Sequence, residues 1–108
     1  MTHVEIVRKD GHIVSLISED HTGYAEEGED IVCAALSSVI QTAVMGLLKV
    51  AAIDCRYVIE EVNGRLELEL PELDLKDRHN ADMILDTMLC GIADLYEGYS
   101  DYIELEVK

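Results

Sequence analysis

The sequence predicts an α+β domain built as a two-layer sandwich, in the order β-β-α-β-β-α-β, with two helices on one face of a mostly antiparallel sheet. Three observations carry this. Leu66, Leu68 and Leu70 alternate with Glu67 and Glu69, and Ile103, Leu105 and Val107 alternate with Tyr102, Glu104 and Glu106. A period of two with one acidic set is the pattern of a strand with one wet face. From Ala81 to Tyr96 the period changes: Ala81, Ile84, Leu85, Met88, Ile92, Leu95 and Tyr96 share one helical face, and Asp82, Asp86 and Asp94 lie away from it. Since the strands show one polar face, both helices belong on the other.

The remaining elements follow in order. His3–Lys9 and His12–Ser18 read as strands joined by a turn at Asp10-Gly11. Arg56–Val62 runs into Arg65–Leu70 through Asn63-Gly64, a dipeptide that favours the tight turn of a hairpin. The first helix, Ile31 to Ala52, is apolar nearly all round. A helix with two apolar sides buries the second against something besides its own sheet, either a second copy of the chain or a deeper core. Ile31 to Leu48 carries no charge and reaches the lower limit of a membrane span, but Ser37, Ser38, Gln41 and Thr42 sit in its middle and strands flank it closely, so a core helix is expected.

At 108 residues the chain is expected to form a single domain, residues 1–108. Lys and Arg number 8 against 23 Asp and Glu, a net charge of −15. Direct binding to nucleic acid needs a cationic footprint and is not expected, whereas a basic protein or peptide suits this surface. Cys33, Cys55 and Cys90 form no CxxC pair and have no histidine at finger-like spacing, so neither a disulfide framework nor a metal centre is expected. The cysteines suit a reducing setting, so a cytoplasmic location is expected, and the strand-like, charged stretch MTHVEIVRKDGH is not expected to be a signal peptide. No glycine-rich phosphate loop, GxSxG elbow or HExxH pair is present, and no cofactor is called for.

The segment from Glu19 to Thr42 holds the chemistry. Asp30 is a good helix N-cap, which puts Ile31, Val32 and Cys33 in the first turn, where orphan N–H groups and the helix dipole favour a thiolate. Lowering a thiol pKa from ~8.5 to ~6 needs about 3.4 kcal/mol, and a helix terminus supplies roughly 0.3–2. Glu26, Glu27, Glu29 and Asp30 oppose the shift. A cationic imidazole is therefore required, and His21 is the histidine nearest in sequence. Two readings stay open on these residues: a Cys33–His21 dyad, or a core cysteine with a surface histidine. Ser37, one turn after Cys33, either serves the site or bonds its own backbone. His3, His12 and His79 read as surface residues, and Cys55 and Cys90 as packing residues.

His21, Gly28, Asp30, Ile31, Val32, Cys33, Ala34 and Ser37 together resemble the signature of the ribosomal-processing cysteine protease family (Prp), a Gly-His-Ala followed by Gly-x-Asp-Ile-Val-Cys-Ala-x-Val-Ser. The order of strands and helices fits that family along nearly the whole chain. The resemblance implies Cys33 as nucleophile, His21 as general acid and base, and Asp30 and Ser37 in support. It further implies removal of the N-terminal extension of a large-subunit ribosomal protein, as a step in ribosome maturation, by a homodimer. Asp20 and Thr22 depart from the family's Gly and Ala around the histidine, which bears on loop path and substrate choice. The competing class is a non-catalytic acidic dimeric module that binds a basic ribosomal or peptide partner without cutting it.

Overall fold

The computed structural model describes residues 1–20, 27–60 and 64–108, without the side chains of 20 and 27–30. Its elements are β1 (Thr2–Lys9), β2 (His12–Asp20), α1 (Glu27–Met45), a π-helical turn (Gly46–Val50), β3 (Arg56–Glu60), β4 (Arg65–Glu69), α2 (Leu75–Gly98) and β5 (Ile103–Val107). The strands form one sheet in the order β3-β4-β2-β1-β5. Every neighbouring pair is antiparallel except β1 with β5. The predicted α+β sandwich is the fold.

Register explains the two faces. Val4 pairs with Ser18 and Leu105, and Ser18 pairs with Leu66, which pairs with Ile59. The next row of the same face is Ile6, Leu16, Leu68 and Tyr57. Both rows lie beneath the helices. The opposite face carries charge, with His3 Nδ1 3.2 Å from Glu104 and Lys108 Nζ 2.7 Å from Glu5. The Asp10-Gly11 turn takes positive φ at both residues (54° and 82°), which lets a two-residue loop match the twist of β1 and β2.

Both helices lay one stripe on the sheet. Val32, Leu36, Ile40, Val44 and Leu47 are buried along α1 and the π turn, and Ala81, Leu85, Met88 and Ile92 along α2. The two helices approach closely: a Cβ on Gly91 would stand 3.1 Å from Val39 Cγ1.

Three expectations need correction. The first helix begins at Glu27, so Asp30 lies inside it and is not its N-cap, and Cys33 falls in the second turn. The second helix begins at Leu75, because Asp74 caps it by accepting from the Asp77 N–H at 2.8 Å. Residues 75–80 are mostly polar, so apolar periodicity shows only from Ala81. Asp82, off the apolar face as expected, accepts from Arg78 Nε at 3.0 Å and lies 2.7 Å from His12 Nδ1, which ties α2 to β2. Cys90 is exposed rather than packed, while Cys55 is buried as expected.

Candidate active site

The helix α1 crosses one end of the sheet, where β1 begins and β2 ends. Cys33 and Ser37, one turn apart, stand beside the buried stripe of Val32, Leu36 and Ile40. Cys33 is half-buried and in no disulfide. It lines a cavity of about 120 Å³ together with Ser37, Ile40 and Gln41 of α1, Thr2 and Ser18 of the sheet, and the β3–β4 end at Ile59, Glu60, Gly64, Arg65 and Leu66. The structure therefore brings two of the four predicted site residues, Cys33 and Ser37, to one cavity. His21 lies outside the described residues, and Asp30 is described by its backbone alone. The strand that leads to His21 ends here: Asp20 pairs with Thr2, and Thr2 lines the cavity.

With the helix starting at Glu27, the orphan N–H groups belong to residues 27–30. The dipole effect also falls off within the first turn. Ionisation of Cys33 thus depends more heavily on a cationic partner than the sequence reading supposed. The other thiols do not share its setting. Burial pushes the Cys55 thiol up and disfavours its thiolate.

Sequence reasoning predicted no cavity residue besides Cys33 and Ser37, and so missed Thr2, Ser18, Ile59 and Arg65 among others. Thr2 and Ser18 left a signal, since each places a hydroxyl on the face where Val4, Ile6 and Leu16 are apolar. Arg65 borders the cavity at the start of β4, with its side chain on the open face of the sheet in the row of His3 and Glu19. It sits opposite Glu19 on one side and Glu60 on the other, and its guanidinium pairs with Glu19 and with Glu67. Its hydrogen bond and charge hold the Glu67 carboxyl below the ordinary value of 4.5. Among the described residues one group, on the open face of the sheet, has metal-ligand chemistry: His3, Glu5 and Glu106 bring ligand atoms within 4.8 Å of one another. Side chains of successive strand residues point to opposite faces, so the sheet separates His3 from the cavity that Thr2 lines.

Comparison with known proteins places this domain among the cysteine proteases. A family model described as cysteine protease Prp matches residues 1–104. The chain belongs to that family. Relatives named ribosomal processing cysteine protease Prp include one from Bacillus subtilis, 29% identical over 97 residues that cover 89% of this chain and 87% of the relative. Another, from Staphylococcus aureus, is 26% identical over 102 residues that cover 94% of this chain and 93% of the relative. The fold agrees with a crystal structure described as an essential ribosomal processing protease Prp from S. aureus in complex with a substrate peptide. The TM-score is 0.90, at 26% identity and full coverage of both chains. A second S. aureus structure, with a covalently linked product peptide, gives 0.85 at 27% identity, again with full coverage of both.

The Arg65 brace has a pH signature. Because Arg65 lowers the folded-state pKa of Glu67, the stability it confers is present above the unfolded glutamate pKa and is lost as pH falls through the folded value. Arg65→Met is expected to lower the melting temperature at pH 7, with a deficit that shrinks toward pH 3 and in high salt. Melting curves of both proteins across that range check this, and a deficit independent of pH contradicts it.

Proposed function

We propose that this protein is a cysteine endopeptidase that removes the N-terminal extension of a bacterial large-subunit ribosomal protein and so supports ribosome maturation. The observation that carries the reading is a half-buried Cys33 in a cavity at the sheet end, in a chain of the cysteine protease Prp family. The names of the B. subtilis and S. aureus relatives supply the ribosomal-processing role. The covalently linked product peptide of the S. aureus structure supports a covalent route.

In the mechanism, His21 takes the thiol proton and stabilises Cys33 as a thiolate by charge. The sulfur attacks the scissile carbonyl and forms a C–S bond while the carbonyl oxygen takes up negative charge. Collapse of that adduct breaks the C–N bond, and the His21 imidazolium protonates the leaving amine. His21 then accepts a proton from water, whose oxygen displaces sulfur and frees the acid. Asp30, no longer needed as a cap, has the task of orienting His21. Ser37 offers a hydroxyl on the Cys33 side of α1. The acidic surface attracts the basic substrate by charge.

The assembly we infer is a homodimer. The outward side of the helical layer is apolar: Ser38, Val39, Thr42, Ala43, Met83, Ile84, Thr87 and Met88 line a groove of about 530 Å³. Thr42 and Thr87 donate their hydroxyls to carbonyls of their own helices, at 2.6 Å each, so neither hydroxyl needs a partner from across the groove. Met83 is 61% exposed in the single chain. A second copy is the covering that accounts for an apolar groove on a chain carrying −15.

Two measurements test these readings. Incubation of the extended ribosomal protein with the wild type is expected to yield one cut by mass spectrometry, and Cys33→Ala none. No cut by either favours the binding module. Sedimentation equilibrium is expected to show a dimer that Met83→Glu shifts to monomer at the same concentration, and a monomeric wild type contradicts the assembly.

A further inference from the structure

The open face of the sheet holds a group that the protease mechanism does not use. Parallel pairing of β1 and β5 sets His3 directly opposite Glu104, and Glu5 directly opposite Glu106. Val4 and Leu105, between them, pack toward the helices, so all four polar side chains stand on the same open face. Like charges directly opposite each other weaken a strand pair, and Glu5, Glu104 and Glu106 crowd this edge of the sheet. Lys108 answers part of that charge, with Nζ 2.7 Å from Glu5 Oε1. One ammonium against three carboxylates leaves two negative charges uncompensated when His3 is neutral, which matches the charge of a divalent cation.

The imidazole decides which cation. His3 Nδ1 stands 3.2 Å from Glu104 Oε2, and since a carboxylate only accepts, this contact puts the ring proton on Nδ1. The Nε2 lone pair then turns toward Glu106 Oε2, 3.7 Å away, which is too long for a hydrogen bond. Two ligands bound ~2.0–2.2 Å from one zinc ion stand roughly 3.3–3.6 Å apart in a tetrahedron. Glu5 completes a set of three donor atoms within 4.8 Å of one another. Closing them on one ion takes movements of roughly 1 Å, within reach of side-chain rotation. Magnesium and calcium take six or more oxygens, whereas one nitrogen with two carboxylate oxygens suits zinc.

We propose that His3, Glu5 and Glu106 form a site for a divalent transition-metal ion of the zinc class, with Glu104 as the positioning residue behind His3. A carboxylate that holds the far nitrogen of a ligating histidine is the usual support of such a site. The ion displaces Lys108 from Glu5, offsets the crowded carboxylates and clamps the edge strand β5 to β1. His3 and Glu104 are 101 residues apart in the sequence, so no local spacing announces the site. The inference does not depend on the protease reading.

The test is calorimetric titration of the full chain with zinc chloride, in protein carrying Cys33→Ser and Cys90→Ser so that accessible thiols do not take the metal. One ion is expected per chain, with Kd raised more than about tenfold in His3→Ala and in Glu106→Gln. Glu104→Gln is expected to raise Kd about tenfold while the melting temperature without metal stays the same. Excess magnesium is expected to leave the titration unchanged, and zinc to raise the melting temperature of the parent but not of Glu106→Gln. Glu106 is exposed, so that variant keeps the test open if His3→Ala does not fold. Zinc binding that is absent, that survives unweakened in His3→Ala or Glu106→Gln, or that excess magnesium suppresses overturns the proposal. Suppression by magnesium assigns the ion to diffuse attraction by a chain carrying −15, and an unchanged Kd in Glu104→Gln overturns the positioning role.

Discussion

The packing of α1 on the sheet is the constraint on which the rest of the structure depends. Val32, Leu36, Ile40, Val44 and Leu47 are each 1% exposed or less. They touch the face built from Val4, Ile6, Leu16 and Leu68, which alternation along the strands makes continuous. Shortening Leu36, Ile40 or Leu47 to alanine removes about 2–5 kcal/mol from a domain whose whole stability is of the order of 5–15. Cys33 and Ser37 follow directly after Val32 and Leu36, so their direction is fixed by the same stripe. The site is held by the core, and the Cα–Cβ direction of Cys33 cannot change without unpacking the helix.

The same packing explains why the site lies at a sheet end. Where β1 begins and β2 ends, the apolar rows give way to Thr2 and Ser18, and the helix above them offers Cys33 and Ser37. A cavity forms where hydroxyls replace larger hydrocarbon groups. Arg65 ties β4 to β2 at this end by pairing with Glu19, and pairs as well with Glu67 of its own strand. In a chain with 8 basic residues against 23 acidic ones, the Arg65 guanidinium is a scarce positive charge, held on the open face of the sheet. The acidic remainder of the surface suits a basic polypeptide partner and is unsuited to a phosphate backbone.

Much of this was legible in the sequence because it rests on periodicity. The alternation around Leu66, Leu68, Ile103 and Leu105 predicts strands with one buried face, and the helical repeat from Ala81 to Ile92 gives the packed stripe of α2. What escaped prediction depends on polar interactions between distant residues. Nothing local announces that Asp82 meets His12, or that Arg65 bridges two strands. The start of α1 was misplaced because Asp30 fits the preference for a cap, and preference alone does not show which of several acidic residues the helix begins with. Cys33 and Ser37 were found by motif and spacing, whereas Thr2 and Ser18 had only a weak signal, a hydroxyl in an apolar row. The proposed pairing of Cys33 with His21 reaches a residue outside those described, and it is the chemical centre of the account.

That pairing is tested most directly by the pH dependence of Cys33 alkylation, in protein with Cys55 and Cys90 replaced by serine. Cys90 is exposed and would otherwise react, and Cys55 is buried with its thiol pushed up. The account predicts an apparent pKa well below ~8.5 for the parent protein and a rise toward ~8.5 in His21→Ala, because the second turn of a helix supplies too little field to ionise the thiol alone. An apparent pKa at or above ~8.5 that His21→Ala leaves unchanged would contradict the dyad.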